Sequence, residues 1–286
     1  MSQINIGLSG WGDHYTLYEG LTSAAKKLEA YAGHFTIVEL DSSFYAIPPE
    51  RNIMKWLNET PPTFQFVVKA YQGMTGHQRG DIPFETKEEM FAAFNTAIKP
   101  LKKAGKLAGV LCQFPPWFDC QRKHVDYLRL VRQQLSEFDA ILEFRHQSWY
   151  AGEMKEKTLD YMKEDNWIHS ICDEPQAGER SIPFIPETTN TKKAFVRFHG
   201  RNVAAWTKPV KGQEWRDVRY LYDYSHHELA ELAEHIRKIG SSVPDTYVIF
   251  NNNSGGHAAG NAQFFIKELG ISYEGLAPKQ LNLFDE

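Results

Sequence analysis

Three pairs of titratable residues recur at a spacing of two along this chain: Glu39 with Asp41, Glu143 with Arg145, and Arg197 with His199. Each pair closes a short apolar or β-branched run. In an extended chain, residues two apart point to the same side of a sheet, so each pair shares a face. Carboxylate, guanidinium and imidazole are the types from which general acids, general bases and anion clamps are built. Lys69, Asp173 and Asn251-Asn252-Asn253 end other runs, and Arg201 lies just past one.

The elements that must hold these residues follow from the pattern of apolar positions. Eight strand-length runs are legible: Ile4 to Ser9, Thr36 to Phe44, Phe64 to Ala70, Leu107 to Phe114, Ala140 to Arg145, Trp167 to Cys172, Ala194 to His199 and Thr246 to Asn251. Most gaps between them carry a helical stripe, such as Met90, Phe91, Phe94, Ile98 and Leu101, or Leu229, Leu232 and Ile236. Strands in alternation with helices predict an α/β fold, a TIM-like (β/α)8 barrel. One crossover breaks the rule. Glu174 to Lys192 holds Pro175, Pro183 and Pro186 without a helical period, so the barrel is expected to be irregular, its helix after strand six missing. The expected domain spans residues 1–276, with residues 277–286 as a tail.

A barrel strand is apolar until its C-terminal end, where polar side chains face the mouth. The outer side is covered by helices, and a charge buried there lacks partners. The paired acids and bases are therefore predicted to converge inside the barrel top. They admit two uses: Glu143 with Arg145, or Glu39 with Arg197, can be ion pairs that plug the barrel, or they can work on a substrate.

The ordered motifs Gly10-Trp11, Val38-Glu39-Leu40-Asp41-Ser42-Ser43-Phe44-Tyr45, Phe66-Val67-Val68-Lys69 with Thr75-Gly76-His77, Gln113-Phe114-Pro115-Pro116, Glu143-Phe144-Arg145-His146 with Ser148-Trp149, Arg197-Phe198-His199-Gly200-Arg201 and Asn251-Asn252 with Asn261-Ala262 resemble the YecE-like proteins, domain-of-unknown-function family seventy-two. That resemblance covers nearly the whole chain and implies a TIM-like barrel. It supplies no reaction, and it brings His77 into the candidate set.

Three chemistries fit the mouth. Lys69, Arg145, Arg197 and Arg201 would hold a phosphate group, with Glu143 and His199 as general base and acid and Glu39 and Asp173 as further catalytic carboxylates. Trp11, Tyr45, Trp149 and Trp206 add flat faces for a base or sugar, and His77, Asn251 and Asn252 further polar contacts. This is the favoured reading, a hydrolase or lyase on a nucleotide or nucleic acid. A divalent ion held by Glu39, Glu143, Asp173 and His199 is a second reading, but no local ligand motif accompanies them and the basic residues compete for the carboxylates. The cofactor is thus left unknown, and no metal ligand is assigned. A sugar or sugar-phosphate hydrolase or isomerase comes third, and a non-catalytic anion-binding module is the contrasting class.

Composition limits the partners. The formal net charge of -4 gives no basic field over the whole molecule, so nucleic-acid binding must come from a local patch or from tethering. No run approaches a membrane span, and Cys112, Cys120 and Cys172 show no CxxC spacing and read as structural, which together suggest the cytoplasm. The tail offers a tether. Gln280, Leu281, Leu283 and Phe284 resemble the short peptide that docks bacterial polymerases and repair proteins on the DNA sliding clamp, with the aliphatic and aromatic side chains in a groove and the glutamine at its rim. The other reading folds Leu281 to Phe284 back on the barrel as a latch.

Overall fold

Eight parallel strands follow one another around a closed barrel: β1 (Gln3–Ser9), β2 (Ile37–Leu40), β3 (Gln65–Lys69), β4 (Leu107–Gln113), β5 (Ala140–Glu143), β6 (Trp167–Asp173), β7 (Lys193–Phe198) and β8 (Asp245–Phe250). The ring shuts where β1 pairs with β8, from Gln3 against Asp245 to Leu8 against Phe250. The structure is a computed structural model and describes residues 2–21, 23–78, 80–206, 214 and 218–278.

Strand residues alternate between two hydrophobic layers. Ile37, Val67, Leu111, Ile141, Ile168, Phe195 and Ile249 fill the lumen. Residues of the opposite parity, such as Val38, Phe66, Val110, Leu142 and Val196, pack outward with the helices. Burial on both faces explains why the strands read as continuous apolar runs. The helices Lys87–Lys103 and His226–Ser242 present Met90, Phe91, Phe94, Ile98 and Leu101, and Leu229, Leu232 and Ile236, to that outer layer. Both start on a side-chain cap, Thr86 accepting from the Glu89 amide and Ser225 from the Glu228 amide.

Two local outcomes differ from the sequence pattern or sharpen it. β2 stops at Leu40 rather than running to Phe44, because the Ser43 hydroxyl bonds the Leu40 carbonyl at 2.6 Å and the Lys69 carbonyl at 2.7 Å, and Ser42–Tyr45 turns into a short helix. Between β6 and β7 the described chain has no α-helix, only a 3-10 turn at Gly178–Arg180. The barrel still closes there, with β6 paired to β7 from Ser170–Phe195 to Asp173–Phe198.

Ala277 is tied to the barrel by a hydrogen bond from its backbone N–H to the Ala32 carbonyl. The tail residues Gln280, Leu281, Leu283 and Phe284 lie outside the described residues. Among the described residues, no helix is long and apolar enough to cross a membrane.

Gly7 marks the tightest seam of the lumen. A Cβ there would sit 1.9 Å from the Ile37 carbonyl oxygen of the paired strand. Gly7→Ala is expected to cost about 1–3 kcal/mol of stability through overpacking. A denaturant midpoint equal to that of the unmodified chain would show that β1 and β2 are not in this register.

Candidate functional site at the barrel mouth

The inward parity that carries Ile37, Ile141 and Phe195 continues up each strand into Glu39 and Asp41, Glu143 and Arg145, and Arg197 and His199. All three pairs meet. Arg197 Nη1 bonds both Glu143 oxygens at 3.0 Å, and its Nη2 bonds Glu39 at 2.7 Å. Arg145 reaches Glu143 at 2.8 Å and Glu174 at 2.7 Å. The result is a buried row of alternating acidic and basic groups, Glu39–Arg197–Glu143–Arg145–Glu174, spanning β2, β7, β5 and the end of β6. Gln113 and Ser170 complete the shell of Glu143, at 2.5 and 2.9 Å.

Each carboxyl in this row feels a different field. Glu143 loses hydration, but the Arg197 and Arg145 guanidiniums outweigh that and hold it well below the usual carboxylate range. It is a poor base at neutral pH. Glu39 is driven the other way: burial raises it to about 7 despite Arg197, with Asp41 adding repulsion. One of its oxygens, Oε2, has no hydrogen-bond partner among the described residues. Burial likewise raises Glu174 to about 7 against the pull of Arg145 and the Ile182 amide.

His199 is buried between Arg145, 3.1 Å from its Nε2, and the Asn251 side-chain amide, 2.9 Å from its Nδ1. Burial and then the two arginines push it well below the usual imidazole value, so the ring is neutral. The Asn251 amide nitrogen faces Nδ1, which accepts from it, so the hydrogen of the neutral ring is on Nε2, 3.7 Å from Glu143 Oε1.

Toward solvent, the Ser9 hydroxyl connects Glu39, at 3.3 Å, with Asp41. The Asp41 side chain is 40% exposed and pairs with Lys69 at 3.3 Å. Its burial cost is outweighed by Lys69, Arg197 and the Ser9 hydroxyl, which leave it below the ordinary aspartate value. Lys69 lies 5.0 Å from the centre of the Phe44 ring. His77 stands edge-on to Phe44 at 5.0 Å and to Trp117 at 6.0 Å, and burial, Lys69 and Arg145 lower it to about 3. After β7, Trp206 packs 5.4 Å from the Arg145 guanidinium and 4.7 Å from that of Arg219.

Not every candidate reaches this place. Asp173 has the outward parity: it binds Arg201 at 2.9 Å and the Tyr224 hydroxyl at 2.6 Å, outside the lumen. Arg201 in turn binds Glu228 of the helix cap. Trp149 is core, stacked 4.0 Å from Phe144 with its indole N–H on the Phe118 carbonyl. Asn252 also faces outward, to Asn261 and the Tyr222 carbonyl. Trp11 stays near the opening, edge-on to Trp56, and Tyr45 is 69% exposed. The residue that was missed is Glu174. Period two gives it away, since Ser170, Cys172 and Glu174 share the inward parity that Asp173 lacks.

A model described as "Protein of unknown function DUF72" matches residues 5–282. The chain belongs to the DUF72 family. It is 54% identical over 281 residues to the UPF0759 protein YunF of Bacillus subtilis, covering 98% of this chain and 100% of that protein. UPF0759 protein YecE of Escherichia coli is 28% identical over 157 residues, 55% of this chain and 54% of its own. Crystal structures of DUF72 family proteins share the barrel: one from Enterococcus faecalis, 37% identical, has a TM-score of 0.90 over 98% of this chain and all of its own. One from Thermotoga maritima, 32% identical, has 0.78 over 94% and 100%.

In this DUF72 barrel the four carboxylate and imidazole side chains of the second, less favoured reading do not gather, because Asp173 faces out. Glu143, Cys172 and His199 instead bring donor atoms within 4.8 Å of one another. The set suits a cation badly. Burial and Glu143 keep the Cys172 thiol protonated, and two guanidiniums already neutralise Glu143. Protein purified without chelator is expected to carry less than about a tenth of an equivalent of divalent metal; a stoichiometric ion lost in Cys172→Ser would contradict this.

Two stability measurements probe the charge row. Arg197→Met strands Glu39 and Glu143 and is expected to cost about 3–5 kcal/mol. For Glu39 the folded value lies above the unfolded one, so its stabilising contribution is full below about pH 4.5 and is lost as pH rises through about 7. Glu39→Gln, which cannot ionise, should gain on the unmodified chain between about pH 5 and pH 8, by on the order of 2–3 kcal/mol. A pH-independent difference would mean that Glu39 is an ordinary carboxylate.

Proposed function

We propose that the mouth binds a phosphate-bearing substrate, a nucleotide or a nucleic-acid strand, and acts on it as a hydrolase or lyase. The observation that supports this most is the charge balance. While Glu39 and Glu174 keep their protons, up to about pH 7, the cations of the mouth, Lys69, Arg145 and Arg197, face the carboxylates of Asp41 and Glu143 alone. A bound anion supplies the missing negative charge. A neutral sugar would leave it uncompensated, which ranks the glycoside reading lower.

The acid–base work in this reading belongs to Asp41 and Glu39. Asp41 stands at the solvent side, and Ser9 links it to Glu39. Glu39, protonated because burial favours the neutral carboxyl, gives its proton to the Ser9 oxygen while Ser9 gives its own proton to Asp41. Asp41, held below the ordinary aspartate value, passes that proton on to the leaving oxygen of the substrate. Glu143 and His199 then set the geometry of the floor: one is too acidic to take a proton, the other is already neutral and accepts from the Asn251 amide.

The C-terminal tail completes the proposal. Gln280, Leu281, Leu283 and Phe284 recruit the chain to the DNA sliding clamp, and tethering replaces the basic surface that a net charge of -4 denies it. The support is the residue pattern. Immobilised clamp should retain the unmodified chain and release a Leu283→Ala, Phe284→Ala variant; equal retention of both would remove the clamp from this reading.

Pyrophosphate tests the mouth. It should raise the thermal midpoint by a few degrees, less so as salt goes from about 50 to about 200 mM, and Lys69→Ala should abolish the shift. An unshifted midpoint, or an equal shift in the variant, would contradict anion binding at this site.

A further inference from the structure

Among the described residues, seven large apolar side chains are exposed: Tyr15, Tyr45, Met54, Ile82, Trp117, Val203 and Leu221. All but Met54 lie in segments that follow the C-terminal ends of strands, so the apolar exposure of the molecule collects on the face that bears the mouth. Exposed apolar groups gathered on one face mark a place where something docks.

Part of that face is organised. Tyr45 after β2, His77 after β3 and Trp117 after β4 come from successive loops, and Phe44 joins the first two. Tyr45 contacts Phe44 at 5.2 Å, Phe44 contacts His77 at 5.0 Å, and His77 contacts Trp117 at 6.0 Å. The two ends of this rim are the most open, Tyr45 at 69% and Trp117 at 53% exposure. Lys69 lies against the same rim, with Nζ 5.0 Å from the Phe44 centroid, and His77 adds no positive charge at neutral pH.

We infer that the rim of Tyr45, Phe44, His77 and Trp117 stacks the unpaired bases of a nucleic-acid strand whose phosphates lie toward Lys69. This rests on the phosphate reading of the mouth and narrows it to single-stranded or locally opened nucleic acid. Aromatic rings beside a cation are the means by which proteins hold single strands without reading sequence, since every base has a π-face and every nucleotide a phosphate. A duplex offers its bases already paired and stacked, and must be opened before they can reach the rim. An apolar protein partner would use the rings but not the surplus positive charge of the mouth beside them.

The test is fluorescence anisotropy with a labelled eight-nucleotide oligothymidylate and with a duplex of equal length, beside the thermal shift with pyrophosphate. Tyr45 and Trp117 are exposed, so their substitution spares the core. The single strand should bind more tightly than the duplex. Trp117→Ala and Tyr45→Ala should each weaken it about tenfold, Trp117→Phe should restore most of the loss, and the pyrophosphate shift should stay intact in all three. Alanine variants that bind the strand as the unmodified chain does, or a duplex bound equally well, would overturn the stacking rim while pyrophosphate binding still upheld the phosphate site. Loss of both strand and pyrophosphate binding in the unmodified chain would overturn the two together.

Discussion

Arg197 is the contact on which the mouth depends. Its side chain is 1% exposed and ties β7 to Glu39 of β2 and Glu143 of β5, strands that are not its neighbours in the ring. Backbone hydrogen bonds join each strand only to the next, so this guanidinium is what fixes distances across the lumen. A charge so deeply buried is tolerable because the Glu143 carboxylate answers it and the Glu39 carboxyl accepts a further hydrogen bond. Arg145 repeats the device toward Glu174, and the row closes on groups that cannot all be ionised cheaply in one dry space.

That constraint passes upward into the chemistry of the site. Negative charge is withdrawn where burial is most severe, on Glu39 and Glu174, and kept where guanidiniums surround it, on Glu143. The imidazoles of His77 and His199 are neutral for the complementary reason, burial beside cations. Ion-pair plug and working site are therefore not rival descriptions of the same residues. The plugged floor creates the unbalanced positive field and the proton-holding carboxyl that the reading of the mouth uses.

Much of this was legible in the sequence because a barrel strand imposes period two on chemistry as well as on hydrophobicity. Glu39, Glu143, Arg145, Arg197 and His199 were foreseen to converge, and they do. The same rule, applied one residue further along β6, separates Glu174 from Asp173. Proximity to a strand end hid that distinction, and an apparent loop boundary at Glu174 hid its role. Trp149 was misplaced because a tryptophan next to charged residues looks alike whether it faces the mouth or stacks under it on Phe144. What no local pattern could give is the sign of each pKa shift, which depends on how many partners from other strands reach each carboxyl. For the same reason Trp117 escaped notice: its rim is assembled from three loops far apart in the chain.

The most direct measurement is a carboxyl carbon NMR titration of protein labelled at glutamate, with Glu39→Gln, Glu143→Gln and Glu174→Gln for assignment. The account predicts that the Glu39 and Glu174 signals move near pH 7, while that of Glu143 stays ionised throughout the acid range in which the fold survives. All three titrating together in the ordinary range of about 4 to 5 would contradict it.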